Sequence, residues 1–111
     1  MGEYAINFYK HHLGDYDGAT AHLTWLEDCA YRRILSVYYR REKPIHADEI
    51  YRITRAVSKP ERAAVQAVLR EFFYLNDSHW HQKRADEEIK AYQAQAATNK
   101  AIALKRYGHE P

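Results

Sequence analysis

The stretch that decides the fold is Asp48 to Gln82, DEIYRITRAVSKPERAAVQAVLREFFYLNDSHWHQ. Ile50, Ile53 and Val57 recur at helical spacing, which predicts a short helix over residues 48–57. Ser58-Lys59-Pro60-Glu61 is a capping box with proline in the tolerated first turn, so a second helix opens there and runs to about Phe72. Ala64 or Val65, Val68, Leu69 and Phe72 face inward, while Lys59, Arg62, Gln66 and Arg70 form an outward stripe. Phe73-Tyr74-Leu75, the turn Asn76-Asp77-Ser78-His79 and Trp80-His81-Gln82 then read as a β-hairpin. Phe73, Leu75 and Trp80 are its expected inward side chains. Two helices joined by a tight turn and followed by a hairpin make a helix-turn-helix with a wing.

Working outward, Thr24-Trp25-Leu26-Glu27 is another capping box. It opens a helix to about Arg41 that Lys43-Pro44 stops. Leu26, Ala30, Ile34 and Tyr38 share its inner stripe, with Trp25, Cys29 and Val37 beside it. Tyr4, Ile6 and Phe8 alternate as a short strand expected to join the hairpin in a small sheet. Residues 10–23 read as a loop pinned by Leu13, Tyr16 and Leu23. After the hairpin, residues 84–107 form a long helix with acids first and bases last, an order that suits the helix dipole. Its apolar stripe is thin: Ile89, Tyr92, Ala96 and Ala103. The expected fold is therefore mainly α (α+β). It is a winged helix-turn-helix with a three-helix core, a hairpin wing joined by an N-terminal strand, and a long C-terminal helix. Residues 1–84 form the winged-helix domain, and residues 85–111 form the terminal helix and tail.

The chain has 111 residues, 46% hydrophobic and 29% charged, which is one ordinary domain with one modest core. A large two-domain enzyme cleft and an array of several βαβ crossovers do not fit. The single cysteine, Cys29, rules out an intramolecular disulfide and the paired-cysteine zinc spacings. It reads as a small core residue. No apolar run is long enough for a transmembrane helix, and the first residues lack a signal-peptide pattern, so the expected compartment is the cytoplasm. Net charge is only +2, but it is blocked along the chain. Residues 1–31 are net −4, residues 32–62 net +5, residues 71–88 net −3 and residues 89–109 net +4. A basic face and an acidic face follow from such blocks.

The outward stripe has the chemistry of a recognition helix. Arginine bridges guanine O6 and N7, glutamine bridges adenine N6 and N7, and lysine neutralises phosphate. Lys59, Arg62, Gln66 and Arg70 are the candidate DNA-binding residues, with Arg52, Arg55 and Lys83 placed to touch the backbone. Any solvated helix face tends to carry the same residue types, and that is the competing reading. Seven histidines raise the question of a metal, but no helical His-x3-His or Glu-x-x-His pair is present, so neither metal nor cofactor is expected. Asp86-Glu87-Glu88 at a helix start complements the dipole rather than building a nuclease centre. No phosphate loop and no nucleophilic triad can be read, and an enzyme is not expected. Tyr31, Tyr38 and Tyr39 read as packing residues with hydroxyls at the rim.

His12-Leu13-Gly14-Asp15-Tyr16, Thr20-Ala21-His22-Leu23 and Glu27 to Arg33 together resemble a phage and prophage domain family. Tyr38-Tyr39, Glu42-Lys43-Pro44, Trp80 and Lys83 to Ile89 add to the resemblance, which spans about residues 4–95. That family is the domain of unknown function found in YdaU-like proteins and in phage replication-initiation proteins. The resemblance implies a winged-helix, DNA-binding role in phage or prophage replication initiation, with origin recognition and recruitment of a replicative helicase or its loader. Duplex DNA is the favoured partner, with single strands and a homodimer as further options. The alternative function is a winged-helix interaction or dimerisation module, or a transcription regulator, without a replication role.

Overall fold

The structure is a computed structural model, and residues 18–107 are described. Helix α1 spans Trp25–Arg41. Its capping box is complete: the Thr24 hydroxyl accepts from the Glu27 amide, and the Glu27 carboxylate accepts from the Thr24 amide. Glu42 closes the helix in the left-handed region at φ 59°, its amide bonded to the Tyr38 carbonyl. Ala30, Tyr31, Ile34, Leu35, Val37, Tyr38 and Tyr39 are buried along it. Leu26 and Trp25 depart from the expected inner stripe, Trp25 being 95% exposed. The core begins one turn later, at Ala30. Cys29 is likewise only half-buried.

Strand β1, Ile45–His46, follows, then a single 3-10 turn at Ala47–Glu49 and the short helix α2, Ile50–Thr54. The expected helix over residues 48–57 is thus cut at Thr54. The Thr54 hydroxyl donates back to the Ile50 carbonyl, and Arg55 turns left-handed at φ 59°. Val57 falls outside the helix and is 77% exposed, which corrects its placement in the core. Helix α3, Lys59–Phe72, opens on the anticipated capping box: Glu61 Oε1 accepts from the amides of Ser58 and Val57, both at 2.9 Å. Ala64, Val65, Val68 and Leu69 are its buried residues, packed against α1.

Strands β2, Tyr74–Asn76, and β3, His79–His81, form the hairpin. The antiparallel sheet has the order β1-β3-β2. Trp80 lies between Ile45 and Leu75 in register. The place beside β3 is therefore taken by Ile45–His46. The N-terminal strand expected at residues 4–9, and the loop residues up to Asp17, lie outside the described residues. Phe73 is buried as expected and Trp80 packs half-buried on the core, but Leu75 is 54% exposed. The reason is position: Ile45 is fully buried against the helices, and each strand further along the sheet stands further from them.

The hairpin loop is two residues long, with Asp77 at φ 52° and Ser78 at φ 62°. This is the I′ geometry that twists with the strands and favours Asp-Gly. Ser78→Gly should therefore raise stability by about 0.5–1 kcal/mol, read as a higher melting temperature. No gain would show that the left-handed serine carries no strain.

Helix α4 spans Lys83–Tyr107. Ala85 and Ile89 are buried on α1, but Tyr92, Ala96 and Ala103 are exposed, so the thin stripe expected on this helix covers the core only at its first member. Three tyrosines of α1 fasten the start of α4. Tyr38 donates its hydroxyl to Asp86 Oδ1 and accepts from the Gln82 amide at 3.1 Å. Gln82 Nε2 donates to the Tyr31 hydroxyl at 3.0 Å, and Tyr39 donates to Glu88 Oε2 at 3.0 Å. Burial pushes all three phenols above their ordinary range, and the carboxylates of Asp86 and Glu88 add to this for Tyr38 and Tyr39. The three pack as read, but their hydroxyls are bonded inside the fold rather than at the rim, and two of the acids assigned to the helix dipole accept from Tyr38 and Tyr39.

Candidate nucleic-acid interface

Helix α3 buries one side on α1, and the 3.6-residue repeat then sends the other side to solvent. Lys59, Arg62 and Arg70 are exposed on it, with Gln66 half-buried. The four do share one face of the helix. Lys59 and Arg70 make no side-chain hydrogen bond or ion pair among the described residues. Arg62 and Gln66 are engaged with the preceding helix. The Arg62 guanidinium lies over the Tyr51 ring at 4.6 Å, and its Nε donates to the Ala56 carbonyl at 3.1 Å. Gln66 Nε2 donates to the Tyr51 hydroxyl at 3.0 Å. Tyr51 of α2 is thus the residue that joins the two helices beneath the stripe. The sequence carried a hint of it, since an aromatic on the helix before the α3 cap can receive a cation from the next helix.

The backbone candidates divide in the same way. Arg52 pairs with Glu49 at 2.6 Å, and Arg41 pairs with the same carboxylate at 3.0 Å. The two guanidinium groups, Arg41 first, hold the Glu49 carboxyl below the usual carboxylate range. Arg55 is exposed at the left-handed end of α2 and makes no such pair among the described residues. Lys83 is exposed at the start of α4, after the hairpin, and no described contact joins it to the α3 stripe.

The acids near the stripe are occupied. Glu61 is bound into the α3 cap, and the amides of Ser58 and Val57 hold its carboxyl below the ordinary range. Glu71 pairs with His22 Nε2 at 2.6 Å. That contact places His22 on the end of α3, beside Phe72. Asp15 lies outside the described residues.

Among the described residues no group of three His, Cys, Asp or Glu is arranged to hold a metal ion, and no helix is long and apolar enough to cross a membrane. What the geometry offers is a basic, partly pre-ordered helix face, followed in the chain by a hairpin. Such a face neutralises phosphate and presents planar hydrogen-bonding groups.

Residues 7–90 match the model of a family described as protein of unknown function (DUF1376). A curated relative, "Uncharacterized protein YdaU" of Escherichia coli (strain K12), is 29% identical over 101 residues. That alignment covers 91% of this chain and 35% of the relative, so the chain spans about a third of the relative's length. No solved structure matches.

Proposed function

We propose that this chain, which belongs to the DUF1376 family, is a winged-helix module that binds duplex DNA through α3. The observation that carries the reading is the α3 face, with Lys59 and Arg70 uncommitted among the described residues and Arg62 and Gln66 pre-ordered on Tyr51. The topology supports it. Helix, strand, helix, helix and hairpin follow one another, and β1 pairs with β3 of the hairpin, the element order a winged helix would have. Arg55 and Arg52 on α2 would add phosphate contacts, and Lys83 would act through the wing side. A role in phage or prophage replication initiation, with origin recognition and helicase recruitment, rests on the family resemblance.

The test is fluorescence anisotropy with labelled duplex at two salt concentrations. A phosphate-tracking face loses affinity with a slope of about −0.9 per neutralised phosphate. Affinity that is absent, or that does not change with salt, sinks the reading. The interaction-module alternative draws on α4, where Ile102 and Leu104 are exposed. A dimer in sedimentation without DNA binding would favour it.

A further inference from the structure

Alternation along the strands divides the sheet into two unlike faces. Ile45, Trp80 and Leu75 share the core side, so His46, His79 and Asn76, together with Tyr74 and His81, share the outer side. Tyr74 is 50% exposed and stacks on His81, with ring centroids 5.2 Å apart and planes within 14°. His46 and His79 meet edge to face at 4.9 Å. Lys43, His46, His79, His81 and Asn76 line an open cleft of about 340 Å³, together with Asp77 and with Glu49, whose carboxylate is paired with Arg41 and Arg52. That volume lies in the range of small-ligand sites.

Hydrogen bonding fixes the polarity of two of these rings. His46 Nδ1 accepts from the Asp48 amide at 3.0 Å, so in the neutral ring the proton sits on Nε2. His79 Nδ1 lies 2.7 Å from the Asp77 carbonyl, which can only accept, so Nδ1 carries the proton and Nε2 keeps a lone pair. The cleft wall therefore offers one ring donor and one ring acceptor beside a stacked aromatic pair.

We infer that the outer face of the sheet binds unpaired nucleobases of a single strand, stacked on Tyr74 and His81, with His46, His79 and Asn76 at the base edge and Lys43 at the phosphate. A base inside a duplex cannot reach such a platform, whereas an unpaired base presents both its π-face and its edge. The inference rests on reading the chain as a nucleic-acid-binding module, but it uses a surface separate from the α3 stripe.

The experiment titrates the full chain with labelled oligodeoxythymidine of about twelve nucleotides, an abasic backbone of equal length, and duplex. The base-bearing strand should bind more tightly than the abasic one. Tyr74→Ala should weaken single-strand binding by about fivefold or more, while Tyr74→Phe retains it and duplex affinity does not move. Lys59→Ala with Arg70→Ala should do the reverse. Equal binding of the abasic strand, no single-strand binding, or a Tyr74→Ala change within about twofold overturns the inference. Single-strand binding without duplex binding would sink the α3 reading and leave this one standing. Tyr74 is at the surface, and circular dichroism confirms that the variants are folded.

Discussion

Tyr38→Ala should remove a large share of the domain's stability and lower its melting temperature sharply. Tyr38 has no exposed surface and packs where α1, the hairpin and α4 converge. Truncating a buried aromatic costs about 3–5 kcal/mol. A domain of this length has only about 5–15 kcal/mol in total. The loss also strips the Gln82 amide and the Asp86 carboxylate of the same partner. Tyr38→Phe separates the two effects, since it keeps the ring and removes the hydroxyl. It should cost about 1–3 kcal/mol, the penalty for buried groups left unpaired. Urea denaturation measures both. A Tyr38→Phe variant as stable as the parent would show that water replaces the hydroxyl.

The phenols also set the behaviour at high pH. Tyr31, Tyr38 and Tyr39 are held neutral, with folded values raised above the ordinary value near 10. Their contribution is fully present below about pH 10, where both states keep the proton. Above it the unfolded chain ionises first, and stability falls by up to about 1.4 kcal/mol per pH unit for each shifted tyrosine. Tyr38→Phe starts lower at neutral pH but should decline less steeply above pH 10, because one such group is gone.

These tyrosines also show what was legible in the sequence and what was not. Helices α1 and α3 were readable to within a residue, because both carry complete capping boxes and an apolar repeat long enough to dominate. The role of Glu61 followed from its place in the cap. Strand β1 was not readable: two residues after Pro44 have no period, and they form a strand only because β3 offers an open edge. The end of α2 was missed because Val57 completes the apolar spacing, while the break comes from a left-handed Arg55 that no glycine announces. At the α3 face the residue types and their shared side were legible. Their partners were not, because the Tyr51 contacts join residues 11 and 15 positions apart across a turn. That His79 and His81 share a face was legible from their spacing around the inward Trp80; that His46 joins them was not, because it depends on the pairing of β1 with β3.

Arg62→Ala combined with Arg70→Ala should nearly abolish duplex binding. The two residues are eight positions apart on α3, about 12 Å at 1.5 Å per residue, which matches the width of a major groove. At that spacing the two losses should add, and at about 1–3 kcal/mol each the pair should cost about 2–6 kcal/mol. The single variants should differ in kind. Arg70 makes no hydrogen bond or ion pair among the described residues, so its loss should act on DNA alone. Arg62 also covers Tyr51 and bonds the Ala56 carbonyl, so Arg62→Ala should loosen the α2–α3 turn and lower thermal stability as well. If Arg62 reads a base, its removal relaxes preference at one position; if it tracks phosphate, the loss is uniform and the salt slope falls by about one. Lys59→Ala, at the N-terminal end of the same face, should give the uniform loss in either case. A double variant that still binds duplex at physiological salt would move the interface off α3. The remaining basic surface is then the outer part of α4, where Lys100, Lys105 and Arg106 are exposed and the sequence from Ile89 to His109 holds no acid to offset them.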